Sequence, residues 1–164
     1  MKSVVMFFLI AFAVHVQASD VREQCMRFKS MPQENLDQMY LEATPGKIPQ
    51  GVTQGCVIGW PQTLLNLPIT SVMNTVWTGK VFDGNSSTLK NRVLGLQAVK
   101  ADVYIGKSLL DGAPSIIVDY SNEIYPFSLI RDEIREVSPG VYLGRAYIRT
   151  IFGTVLGVNF ALFQ

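Results

Sequence analysis

Residues 138–163 read SPGVYLGRAYIRTIFGTVLGVNFALF, and this stretch decides the fold. Ser138-Pro139-Gly140 has turn chemistry, and Val141–Thr150 and Thr154–Phe163 read as strands either side of a link containing Gly153. Working outward, Phe127, Ile130, Ile134 and Val137 are spaced by three, four and three as on a helix. The same residues can form a strand. Strands precede and follow at hairpin distance, so a strand over at least Ile130–Val137 is expected. Ser115–Ser121 is a strand rich in β-formers, opened by the turn Leu110-Asp111-Gly112-Ala113-Pro114. In Gln97–Ile105, Val99, Ala101, Val103 and Ile105 alternate with Lys100, Asp102 and Tyr104. Thr75–Phe82 is a strand ending at the turn Asp83-Gly84-Asn85, and Gly51–Trp60 is another, ended by Pro61. Six or seven strands in meander order with short turns predict a mainly β chain, an antiparallel up-and-down barrel or strongly curved sheet. The turn spacing argues against βαβ units.

Upstream of the strands the pattern is helical. Asp20–Met31 is polar with scattered apolar residues, and Ser30 and Gln33 have capping-box spacing around Pro32. A second helix to about Glu42 would put Leu36, Met39 and Tyr40 on one face. Ala43–Gly51 holds two prolines and two glycines and reads as a loop, and Pro68 can open a short helix to about Asn74. The expected organisation is a leader over 1–18, a helical segment and linker over 19–50, and a barrel-like domain over 51–164.

The leader reading rests on Lys2, the unbroken apolar run Val4–Val14, and Val16-Gln17-Ala18 at a cleavage position. The run is short of the roughly 20 residues of a membrane span, so a secreted or periplasmic protein with no integral span is expected. Cleavage removes His15, the one histidine, which rules out a Ser-His-Asp or Cys-His unit within one chain. It also removes the commonest ligand for zinc or copper, so no metal is expected. Without Lys2 the chain carries 13 basic and 13 acidic residues with no strong clustering, which argues against nucleic-acid binding. No phosphate-binding glycine loop and no Cys-x-x-Cys occurs, so no cofactor is expected. Cys25 and Cys56 suggest a disulfide in an exported chain; free buried thiols and a reactive thiol are the other readings, and no activating neighbour is evident for the last. Asn85-Ser86-Ser87 fits a glycosylation acceptor if the host is eukaryotic.

The segment Trp77-Thr-Gly-Lys-Val-Phe82, preceded by Pro68 and a short amphipathic stretch, resembles the Trp-x-Gly-Lys-x-Phe segment of a family of uncharacterised proteins named for a Gly-x-Trp-x-Gly motif. Ile130–Val137 followed by Val141-Tyr-Leu143-Gly144 is similar to that family's C-terminal block, and Phe160-Ala-Leu162 to its last strand. The resemblance spans roughly 51–164. Where the naming motif belongs, this chain has Gly51-Val-Thr53-Gln-Gly55, with Thr53 in place of the tryptophan. The resemblance implies a lipocalin-like (calycin) barrel and no established activity. In such barrels that tryptophan closes one end with a C-terminal cation packed on it; Trp60 or Trp77 could substitute.

Small closed barrels can hold one apolar ligand, and a chain that is 48% hydrophobic suits a cavity lining. Trp77, Phe82, Tyr104, Tyr120, Tyr142, Tyr147 and Phe160 are lining candidates, although for any one of them filling a solid core is the stronger reading. Arg135 or Arg145 could meet a ligand carboxylate or phosphate with Asp132 orienting it, or the cluster Arg131–Glu136 could be a solvated face with cross-strand ion pairs. Asp119 sits inside an apolar strand and could pair with Asp132 for acid–base work, or be held by structural hydrogen bonds. Lys80 could reach an acidic head group, or guard a strand edge. The leading expectation is an exported lipocalin-like protein binding a small apolar or amphipathic ligand such as a lipid. The alternatives are a histidine-independent hydrolase or isomerase on a hydrophobic substrate, and a non-catalytic module with a protein partner.

Overall fold

The structure, a computed structural model, describes residues 20–59 and 74–164. The leader, Trp60 and the expected helix after Pro68 therefore lie outside the described residues, apart from a helical turn at 74–76. Two helices come first, α1 over residues 20–30 and α2 over Gln33–Glu42. Eight strands follow: β1 Gly51–Gly59, β2 Trp77–Asp83, β3 Thr88–Val93, β4 Leu96–Lys107, β5 Pro114–Asp119, β6 Ile130–Ser138, β7 Val141–Thr150 and β8 Gly153–Phe163. Each pairs antiparallel with its sequence neighbour, and β1 pairs with β8 to close the barrel. The ambiguous stretch divides at Ile130: Phe127–Leu129 is a short 3₁₀ turn and the rest is strand β6. Closure leaves no open edge along the sheet, which answers the aggregation problem of an exposed strand. Lys80, in mid-sheet on β2, is thus not an edge guard.

Strand alternation divides the side chains into two clusters. Inward-facing Phe82, Leu89, Ala101, Val103, Ile116, Ile134, Tyr142 and Leu162 fill the half of the barrel nearest the β2–β3, β4–β5 and β6–β7 turns. The linker 43–50 crosses this end. Ile48 packs against the interior cluster, and Lys47 O accepts a 2.8 Å hydrogen bond from Tyr142 Oη. The second cluster lies outside the wall. There Phe28 of α1 and Leu36 and Tyr40 of α2 bury Ile58, Leu143, Ala161 and Phe163. The Cys25–Cys56 disulfide, Cα–Cα 6.0 Å, fastens α1 to β1 beside this cluster.

Candidate functional site

The other half of the barrel is hollow. A cavity of about 220 Å³ opens toward the end that carries the β3–β4 turn, the β5–β6 loop and the β7–β8 turn. Its wall is aliphatic and aromatic: Val57 from β1, Trp77 from β2, Val93 and Val99 from β3 and β4, Ile130 from β6, and Ala146, Val158 and Phe160 from β7 and β8. Phe127, on the 3₁₀ turn, stands exposed at its edge. Where the hollow half meets the filled half, four polar side chains form the floor: Lys80, Asn91, Tyr120 and Asp132.

These four are bonded chiefly to one another. Lys80 Nζ donates to Asp132 Oδ2 at 2.8 Å, to Tyr120 Oη at 2.6 Å and to Asn91 Oδ1 at 2.9 Å. Asn91 Oδ1 also accepts from Trp77 Nε1 at 2.9 Å, and Asn91 Nδ2 donates to Tyr120 Oη and to Val99 O. The rings of Trp77, Tyr120 and Phe160 surround the Lys80 ammonium, with centroids 5.2–5.5 Å away. Burial alone would lower the Lys80 pKa, but the charge of Asp132 and the hydrogen bonds to Asp132 and Tyr120 raise it above its usual value of 10.5. Lys80 is therefore an ammonium at neutral pH. Tyr120 is pushed up to about 12, first by burial and then by the Asp132 charge.

Two backbone features set this geometry. The β1–β2 approach is so close that a Cβ on Gly55 would lie 2.6 Å from Gly79 Cα and from the Trp77 ring, which is how the indole reaches the cavity. At the register shift between β3 and β4, Val99 takes φ 54°, a strained value for a β-branched residue. Its carbonyl is the acceptor that orients the Asn91 amide.

The residues singled out from the sequence divide between the two faces of the wall. Trp77, Lys80, Tyr120 and Asp132 converge at the cavity, and Phe82 lies in the filled half. Tyr104, Asp119, Arg135, Arg145 and Tyr147 lie on the outer face. The expectation that Asp132 orients Arg135 or Arg145 is corrected by strand parity: Asp132 points inward with Ile134, whereas Arg131, Glu133 and Arg135 point outward. The Asp119–Asp132 pair is corrected for the same reason, since Asp119 bonds outside to Arg149 and to Tyr104 Oη. The outer charges are not a solvated face either. Arg135 is buried under α2, where it donates to Tyr40 O at 3.0 Å, forks onto Asp111 at 2.7 and 2.9 Å, and lies over the Tyr40 ring. Arg145 pairs with Asp37 of α2 and donates to Tyr147 Oη. These groups hold the helix down. Trp77 touches Lys80 and Phe160 inside the barrel, so it lines the cavity rather than plugging an end.

A closed eight-stranded up-and-down barrel with a cavity in one half of its interior defines a protein of the small antiparallel β-barrel class. Its fold is similar to that of a protein from Thermomonospora curvata known from a crystal structure, with a TM-score of 0.58 and 11% identity over 89% of this chain and 96% of the other. No family model matches the sequence, and no curated protein matches it.

Proposed function

We propose that the protein is an exported carrier that encloses a small, mostly apolar molecule in the open half of its barrel. The observation that carries the reading is the hollow, with apolar walls and one polar cluster at its base. Apolar cavities of about 150 Å³ in other proteins take up benzene, so a cavity of about 220 Å³ suits a single ring with a short tail or a chain of about eight carbons. Drug-sized ligands need about 300 Å³ or more, so a full-length acyl chain would have to extend through the mouth. Export is supported by the apolar leader and by the pairing of Cys25 with Cys56. The resemblance to the Gly-x-Trp-x-Gly family fits this reading, because its Trp77-Thr-Gly-Lys80 segment supplies both an aromatic wall and the ammonium of the floor.

Native mass spectrometry and organic extraction of gently purified protein test the proposal, together with titration by an apolar fluorescent probe. A co-purifying small molecule, or saturable probe binding with one site per chain, is expected. No bound molecule and no probe binding would remove the carrier reading.

A further inference from the structure

We infer that the ligand presents one neutral hydrogen-bond donor, a hydroxyl or N–H, to the floor of the cavity, and that Asp132 Oδ1 receives it. The inference rests on the carrier reading and specifies its chemistry. Lys80 looks like a receptor for a carboxylate, but its three N–H bonds are all engaged by Asp132, Tyr120 and Asn91. Tyr120 Oη accepts from Lys80 and Asn91, and its one proton has acceptors in Asp132 Oδ2 at 3.2 Å and Asn91 Oδ1 at 3.3 Å. Asn91 uses both amide hydrogens and receives two donors on Oδ1, and the Trp77 N–H is one of those donors. The atom left over is Asp132 Oδ1. Asp132 lines the cavity, its other oxygen takes both the ammonium and the phenol, and Oδ1 has no hydrogen-bond partner among the described residues. It is not one of the sealed unpartnered side-chain atoms among the described residues, which are Thr78 Oγ1 and Asn159 Oδ1. Among the described residues, the unused polar capacity of the floor is thus an acceptor.

Charge decides among donors. The Lys80–Asp132 pair is neutral as a unit. A ligand carboxylate would meet the free lone pairs of Asp132 at low dielectric and would have to strip Lys80 from its partners. A ligand ammonium would bring a second positive charge beside Lys80. A hydroxyl adds a hydrogen bond to a charged acceptor and no net charge.

The test is calorimetric titration of delipidated protein with octan-1-ol, octan-2-one and octanoate, which share a body and differ in the polar group. Octan-1-ol is expected to bind at least about tenfold more tightly than either of the others. In a Lys80→Met/Asp132→Leu double variant, which replaces the pair by apolar groups, that preference should disappear. The parent protein offers a second readout that does not depend on the variant folding: the ¹³C carboxyl resonance of Asp132 should move with octan-1-ol and not with octan-2-one. Binding without preference for the alcohol, or an unmoved Asp132 resonance, overturns this inference and leaves the carrier reading standing. Failure of all three compounds and of apolar probes to bind removes both.

Discussion

A lysine that is 2% exposed inside a barrel is costly unless its charge is met on every side. Here three hydrogen bonds, one of them an ion pair, and three aromatic faces meet it. Lys80→Met alone leaves Asp132 buried and unpaired, and is expected to lose about 3–5 kcal/mol in urea unfolding. Lys80→Met/Asp132→Leu removes both charges together and is expected to fall within about 2 kcal/mol of the parent or to exceed it. A single variant as stable as the parent would contradict the buried-pair account. Tyr120 and Tyr40 make a second test. Burial leads in raising both phenols from 10 to about 12, Tyr120 in the cavity floor and Tyr40 on α2 against Arg135 of the outer wall. Unfolded chains release these protons near pH 10, so the folded state holds them longer and the stabilisation is intact below 10. It declines as pH climbs from 10 toward 12, by on the order of 2 kcal/mol for each tyrosine. Lys80, also raised, adds a loss of the same sign above 10.5. Phenolate absorbance should show at least two tyrosines that ionise only with alkaline unfolding; smooth ionisation of all tyrosines near pH 10 would contradict the burial of Tyr40 and Tyr120.

At the scale of elements, the seven strands placed from the sequence are those whose inward positions are mostly apolar. The one it missed is β3, Thr88–Val93. Leu89 and Val93 point inward there, but the inward position between them is Asn91, and Lys90 and Arg92 flank it. The polar residue that builds the site interrupted the alternation that would have revealed the strand. Parity held a usable signal elsewhere: Ile130, Asp132 and Ile134 share a face, which separates Asp132 from its charged neighbours on β6. That the outer charges of β6 and β7 are covered was not legible, because nothing in the strands shows that α2 lies across them. The helices are held by Tyr40, Arg135, the Arg145–Asp37 pair and the disulfide. Replacing Cys25 and Cys56 by serine opens a link of sequence separation 31 and is expected to cost about 3–4 kcal/mol, with apolar probe affinity unchanged because the link is outside the wall. Lost probe binding in a still-folded variant would tie the clasp to the cavity.

For the whole molecule, the two ends of the barrel differ. The filled end is crossed by the linker and carries the polar turn Asp83–Ser87, with Leu109 and Leu110 exposed on the β4–β5 turn, while the hollow end carries exposed Leu94, Leu96, Ile124, Tyr125, Ile151 and Phe152 on or beside its loops. Ile151 and Phe152 are 93% exposed, so Ile151→Ser/Phe152→Ser should leave stability within about 0.5 kcal/mol of the parent. Ala146→Phe, by contrast, projects a ring into the hollow from β7 and should abolish apolar probe binding while the melting temperature stays within a few degrees. Probe binding that survives this filling would place the site elsewhere. The most direct measurement is methyl NMR of the labelled protein during titration with octan-1-ol. Saturable shifts at Val57, Val93, Val99, Ile130, Ala146 and Val158, with Leu94 and Ile151 unmoved, are the expected result. Silence at the methyls of those six residues, or shifts confined to the loop tips, would contradict an enclosed guest.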